Sequence, residues 1–261
     1  MISWCAYCTS FIGELKPYEN LQISHGMCDQ CFKSDALMSA DYDAINQLNA
    51  LLKKSIQLLQ YDIDNLDLVL LYEEASALGM RKDDLLLGLL QPLLEEVGRL
   101  FSTNQVSAAV EHIFTEKIDW VLEMLKQPKN SKAVSILMYL PGDNCHTLGP
   151  RFFEYALQTR GFDVLNLPVA TDDIEFIELV KKHQPRLVGF STALPQHIHV
   201  ASTLIPQIKK WSPESKLAIG GYAIKNDTKN EKLRQFDFIA KPETITQTIA
   251  GIGEFLLTEV L

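Results

Sequence analysis

No apolar run in this chain reaches the roughly 18 residues that a membrane-spanning helix needs, and no Lys/Arg cluster marks its C-terminal helical segment for a membrane surface. Basic charge is in deficit. Lys and Arg number 24 against 33 Asp and Glu, a net charge of −9, and no basic stripe is present. That argues against direct contact with a DNA or RNA backbone. Internal repeats and low-complexity tracts are missing. The start, Met1-Ile2-Ser3-Trp4-Cys5, has neither the basic region nor the apolar stretch of a secretory signal, so a soluble cytoplasmic protein is expected. No Gly-x-Ser-x-Gly elbow surrounds Ser191, which removes the usual serine-hydrolase reading. No Lys-Ser/Thr follows Gly220-Gly221, which removes a P-loop.

Cysteine is scarce, at five residues in 261, but four of the five are paired. Cys5 and Cys8 form one CxxC, and Cys28 and Cys31 form another. In a cytosolic chain two such pairs suggest a metal rather than disulfides, with redox-active thiols as the competing reading. Residues 1–38 hold too little apolar surface to fold alone. A structural Zn²⁺ on the four thiolates would supply what the core lacks. His25 could replace one thiolate, but it better suits support of the turn before Gly26. Cys145 stands apart and reads as an ordinary loop thiol.

The remainder divides by pattern. Residues 40–127 read as four helices. The first spans 41–60, with Ile45, Leu48, Leu51, Leu52, Ile56 and Leu59 at helical spacing. The second runs from about Asp64 to Gly79, where glycine suits the position after a helix end. The third begins after Arg81-Lys82-Asp83 and runs to about Leu100, with a kink at Pro92. The fourth begins near Gln105 or Val106 and carries Glu111, His112 and Trp120. Short joints between them predict a bundle. A polar segment, 127–132, reads as a linker. Residues 132–261 alternate strand and helix. Strands are expected at 133–140, 163–167, 187–190, 217–219 and 236–239, and helices at 149–160, 172–183, 199–211, 230–235 and 244–257. That alternation predicts an α/β fold with a five-stranded parallel sheet and flanking helices, of flavodoxin-like order 2-1-3-4-5. Its ligand crevice should lie at the ends of the first and third strands.

The loop after the first of these strands carries Asp143-Asn144-Cys145-His146-Thr147-Leu148-Gly149, which puts an imidazole at the carboxyl edge of the sheet. With three further features the chain resembles cobalamin-binding modules. Ser191-Thr192-Ala193-Leu194 follows the third strand, Gly220-Gly221 follows the fourth, and Phe101 is separated by nine residues from Glu111-His112. The resemblance covers about residues 45–257. It implies cobalamin between bundle and sheet, with His146 as the lower cobalt ligand. Ser191, Leu194, Gly149, Gly220 and Gly221 would surround the nucleotide tail, and Phe101, Glu111 and His112 would lie over the upper corrin face. The family usually has a carboxylate two residues before the histidine and a tryptophan at the aromatic position. This chain has Asn144 and Phe101, which weakens the imidazole as a donor and leaves room for an upper ligand. Asp143 could support His146 only in a shifted loop. The N-terminal pairs, with Ser24-His25-Gly26-Met27-Cys28, look like a small module of bacterial sensor and signalling proteins.

Together these resemblances imply a cobalamin-binding sensor that addresses a protein partner or associates with itself. Light acting on adenosylcobalamin is one trigger. A corrinoid methyl carrier of a methyltransferase system is the alternative, and heme or another tetrapyrrole in the same cleft is a third reading. The expected divisions are a zinc module at 1–38, a helical cap at 40–127 and a Rossmann-like domain at 132–261.

Overall fold

The computed structural model describes residues 1–34, 39–125, 135–226, 229–240 and 245–257. The chain forms two compact units, Met1–Leu125 and Lys126–Leu261. The expected linker at 127–132 lies outside the described residues.

The first unit opens with a small sheet that the sequence reading did not anticipate: β1 (Ile2–Cys5), β2 (Phe11–Glu14) and β3 (Ile23–Gly26). β1 is central, antiparallel to β2 and parallel to β3. The one-turn helix α1 (Asp29–Lys33) follows. Of residues 1–34 only Ile2, Ser3, Trp4, Cys5 and Ala6 are buried. A large apolar side chain contributes about 2–3 kcal/mol on burial, whereas ordering the backbone costs about 1–2 kcal/mol per residue. The segment therefore depends on what it packs against and on what its cysteines hold.

It packs against helices. α2 (Tyr42–Tyr61) is capped by Asp41, whose carboxylate accepts the Ala44 N–H at 2.9 Å. α3 (Leu68–Ala77) is capped by Asp67. α4 (Lys82–Leu85) runs through a π-helical turn, Leu86–Leu90, into α5 (Gln91–Ser102). α6 (Ala108–Met124) completes the set. The irregularity expected at Pro92 takes the form of that π turn. Proline has no N–H to bond one turn back and its ring crowds the carbonyl of Gly88, so the turn before it widens. Gly88 is where the small sheet docks. A β-carbon there would sit 2.4 Å from Trp4 Cζ2 and 2.8 Å from Phe11 Cδ2, so only glycine lets the fully buried indole reach the helix. Polar ties fasten the same joint. Thr9 Oγ1 donates to Gly79 O at 2.7 Å, the Phe11 N–H to Asp84 Oδ2 at 3.2 Å, and the Asp41 N–H to Ala6 O at 2.6 Å. The His25 ring meets Tyr42 of α2 edge-on at 4.8 Å.

The second unit holds β4 (Ile136–Tyr139), α7 (Leu148–Gln158), β5 (Val164–Asn166), α8 (Asp173–His183), β6 (Leu187–Ser191), α9 (Pro195–Trp211), β7 (Lys216–Gly220), α10 (Tyr222–Asn226), β8 (Phe238–Ile239) and α11 (Ile245–Leu257). The sheet order is β5-β4-β6-β7-β8, all parallel, the expected 2-1-3-4-5. Alternate strand residues share a face. Leu137, Tyr139, Val188, Phe190, Leu217 and Ile219 join Phe176, Val180, Ile198, Ala201 and Ile208 of α8 and α9 in one core. Tyr139 stacks on Phe176 with centroids 4.2 Å apart and donates to Asp173 Oδ1 at 2.7 Å.

Element ends differ from the sequence reading where caps decide. Ser107 caps α6, so that helix begins later than Gln105 or Val106. α9 begins at Pro195 rather than near His199, because proline favours the first turn of a helix. Residues 231–235 are a 3₁₀ turn capped by Asn230. No helix of the described residues is long and apolar enough to cross a membrane.

Candidate functional site

Two sets of side chains converge, one in each unit. In the first, β1 delivers Cys5 and the following turn delivers Cys8. Cys28 caps α1, and Cys31 lies inside it. All four Sγ atoms lie within 4.8 Å of one another, with Cys8 and Cys28 at 3.6 Å. A tetrahedral zinc with Zn–S of about 2.3 Å requires S···S of about 3.8 Å, so the donor set fits that ion. Backbone amides already point at sulfur: Cys28 N–H to Cys5 Sγ at 3.4 Å and Cys31 N–H to Cys28 Sγ at 3.5 Å. Burial pushes the Cys5 thiol up, but amide hydrogen bonds from Cys28, Tyr7 and Cys8 outweigh it and bring it down to about 6. Burial and the neighbouring thiols push Cys31 the other way. The cluster thus favours at least one thiolate before any metal arrives, and a cation would draw the rest. His25 is not part of the cluster.

The second set is the loop between β4 and α7. The topological switch of the sheet lies between β4, which leads to β5 on one side, and β6 on the other, so this loop emerges at the crevice where open α/β sheets bind ligands. Asn144 is 1 % exposed, and its Nδ2 donates to Ser191 O at the end of β6, at 2.7 Å. That bond fixes which way the amide faces. Asn144 Oδ1 then lies 3.2 Å from both the His146 N–H and His146 Nδ1. Because Oδ1 only accepts, Nδ1 carries the proton and the Nε2 lone pair is unshared among the described residues. Ser191, Asn144 and His146 form a chain that sets the tautomer of an exposed imidazole and leaves Nε2 as a donor to a metal.

Of the two supports considered for His146, the structure therefore uses Asn144. Asp143 turns to His197 instead: His197 Nε2 lies 2.9 Å from Asp143 Oδ1. That hydrogen bond holds the Asp143 carboxyl below the usual carboxylate range. His197 lies in the first turn of α9. It is 2 % exposed, and its Nδ1 accepts from the Ala193 and Leu194 amides at 3.3 and 3.2 Å. The late placement of the α9 start concealed it.

The remaining candidates of the α/β unit lie at the same strand ends. Ser191 closes β6 and Leu194 is half exposed just before α9. Gly220 ends β7. Gly221 has φ +106, and a β-carbon there would fall 2.4 Å from Thr192 O. Its immediate neighbour is thus the β6 loop, which Thr192 joins to β7 through N–H and Oγ1 bonds to Gly220 O at 2.8 and 2.9 Å. Gly149, in the first turn of α7, is exposed, with open space where a β-carbon would be.

In the helical unit, Phe101 lies in the last turn of α5 and is 45 % exposed. Glu111 closes the first turn of α6 and His112 follows it. α5 and α6 pack together and the joint between them is short, so the three residues share one end of this unit. His112 Nδ1 is 3.5 Å from Glu111 Oε2, and Thr115 Oγ1 donates to Glu111 Oε1 at 3.2 Å. Apart from each other, neither Glu111 nor His112 has a charged partner among the described residues.

Comparison with known proteins decides the family. Residues 134–248 match the family model described as B12 binding domain, and residues 57–126 match a second model of the same description. The two matches together cover more than half of the chain. The protein belongs to the B12-binding family. Its cofactor is cobalamin, which displaces the heme reading.

Among solved structures, this B12-binding protein is similar to the monomethylamine corrinoid protein of Methanosarcina barkeri. Identity is 17% and the TM-score 0.63, over 80% of this chain and 99% of that one. That likeness shows a shared fold. A cobalamin-binding protein from Desulfitobacterium hafniense DCB-2 aligns at 18% identity and TM-score 0.39, over 77% of this chain and 95% of that one. A methanol:cobalamin methyltransferase complex from Methanosarcina barkeri aligns at 14% identity and TM-score 0.41, over 88% of each chain.

Proposed function

We propose that this B12-binding protein is a corrinoid methyl carrier, with His146 as the lower ligand of the cobalt. The observation that carries the ligand assignment is the Ser191–Asn144–His146 chain, which points an unshared Nε2 lone pair outward at the switch point of the sheet. The resemblance to the monomethylamine corrinoid protein across almost all of that protein's length supports carriage over sensing. When bound, the cobalamin supplies the group-transfer chemistry. The chain's own residues do the rest. Asn144 holds the imidazole as the Nδ1–H tautomer. Being neutral, it donates less electron density to the ring than a carboxylate would, so His146 is a weak ligand. Ser191, Leu194, Gly149, Gly220 and Gly221 line the strand ends where a nucleotide tail would lie, and Phe101, Glu111 and His112 serve the upper face. A methyltransferase would be the protein partner.

The experiment is reconstitution with hydroxocobalamin, followed by reduction and mixing with methylamine- or methanol-type methyltransferases and their methylamine or methanol substrate as methyl donor. Uptake of one corrinoid per chain and of methyl onto the protein is expected. No corrinoid uptake at micromolar protein would remove the whole reading. Uptake without methyl transfer from any partner would remove carriage and leave binding.

One observation favours signalling as a second reading. The small sheet beside the cysteine cluster, which resembles sensor modules, docks on α4 and the π turn that lead into the helix carrying Phe101. Adenosylcobalamin-loaded protein that changes spectrum and assembly state on illumination would favour it. An unchanged response to light removes the light-sensing form.

A further inference from the structure

We propose that His197 is a positioning residue for the cobalt-ligand loop, holding His146 in place through Asp143 while capping α9. The proposal rests on the reading of His146 as lower ligand and concerns how that ligand is held.

The loop from Pro141 to His146 has two polar anchors among the described residues, one at the end of β6 and one in the first turn of α9. One is Ser191 O, which orients Asn144. The other is His197, whose ring has both nitrogens committed. Nδ1 accepts the Ala193 and Leu194 amides at the start of α9, so the proton is on Nε2 and is donated to Asp143 Oδ1 at 2.9 Å. The glycine before Asp143 lies close to the same helix. The site of a β-carbon on Gly142 is 3.6 Å from Val200 Cγ2 and 3.8 Å from His197 Cδ2, so the loop lies against the first turns of α9. Gly142 adopts φ +69 there. Asp143 is exposed while His197 is buried, at 83% and 2% side-chain exposure. The fixed element is therefore the histidine, and the carboxylate is what it restrains. Asp143 and Asn144 are adjacent in sequence but face different anchors. A ligand three residues past Asp143 has little freedom to swing once both are held.

The two jobs of the ring can be separated by substitution, because asparagine places an oxygen near the Nδ1 position and glutamine places an N–H near the Nε2 position. His197→Asn keeps the cap and loses Asp143. His197→Gln keeps Asp143 and loses the cap. The full chain is loaded with hydroxocobalamin, and its visible spectrum is followed as pH is lowered until the imidazole is released. His146→Ala serves as the reference for the released form. In His197→Asn the midpoint of release should rise by about one pH unit, a tenfold weakening of ligation in proton terms, and Asp143→Ala should match it. His197→Gln and Asp143→Asn should stay near the parent chain, since each keeps a donor facing an acceptor. In the chain without corrinoid, the His146 amide should exchange with solvent faster in His197→Asn and Asp143→Ala than in the parent.

If His146→Ala shifts the spectrum but His197→Asn and Asp143→Ala do not, the positioning role is overturned and the lower-ligand reading survives. If His146→Ala leaves the spectrum unchanged, the lower-ligand reading falls and takes the positioning role with it. Should His197→Asn fail to fold, Asp143→Ala decides alone, because that side chain is exposed.

Discussion

The cysteine cluster and the histidine loop are built on opposite plans. Four sulfurs meet within 4.8 Å, every donor comes from one short segment, and nothing beyond the ion is needed to complete the shell. The loop offers one nitrogen, and a chain of hydrogen bonds is used to aim it. The first plan suits a structural ion, closed and permanent. The second suits a cofactor whose metal must keep positions for other chemistry. A closed site stabilises the fold around it, whereas an open site takes its precision from the fold.

Removing the ion should therefore break the first unit and spare the second. Chelation, or Cys8→Ser, should lower the stability of the first unit by several kcal/mol, since structural zinc contributes on the order of 10 kcal/mol in small modules. Scanning calorimetry should show one transition falling sharply while the other holds. Two transitions shifting together would mean that the cluster is not a local staple. Metal uptake should weaken as pH falls towards about 6, where the Cys5 thiolate begins to gain its proton.

Next in size is Gly221→Ala. It combines a left-handed φ with a 2.4 Å clash on the Thr192 backbone and should cost about 3 kcal/mol, read as a fall in the denaturation midpoint of the second unit. Gly88→Ala presses on Trp4 and should cost about 2 kcal/mol, read in the first. If Gly88→Ala were silent, the small sheet would not depend on its seat against the helix. Asn144→Ala removes the aim of His146 and should cost about 1–2 kcal/mol in hydrogen bonds, while shifting the corrinoid spectrum towards that of His146→Ala. Phe101→Ala should be smallest in stability, within about 0.5 kcal/mol at a half-exposed position. It should still alter access to the upper corrin face, measured as the rate at which an added ligand changes the spectrum.

Much of this was legible in the sequence, for identifiable reasons. The parallel order was readable because strands and helices alternate and each strand is a short apolar run. The sulfur cluster was readable because CxxC spacing is local. Three things were not. The small N-terminal sheet has four-residue strands with few buried side chains, too little pattern to register. The π turn needed Pro92 and Gly88 to be considered together with Trp4, more than eighty residues away in sequence. The Asp143–His197 contact joins residues 54 apart, and neither spacing nor composition pairs them. The choice between Asn144 and Asp143 as the partner of His146 was open for the same reason: it depends on where Ser191 O lies.

The seat of Trp4 has a practical consequence for anyone trimming this protein. A fragment begun at the first long helix would keep the widened turn and its glycine but lose the indole that fills the notch. Leucine-lined surface around 86–90 would then meet water. Such a fragment should be prone to aggregate, and adding back residues 1–34 as a separate peptide should restore its solubility only when their thiols can hold a metal.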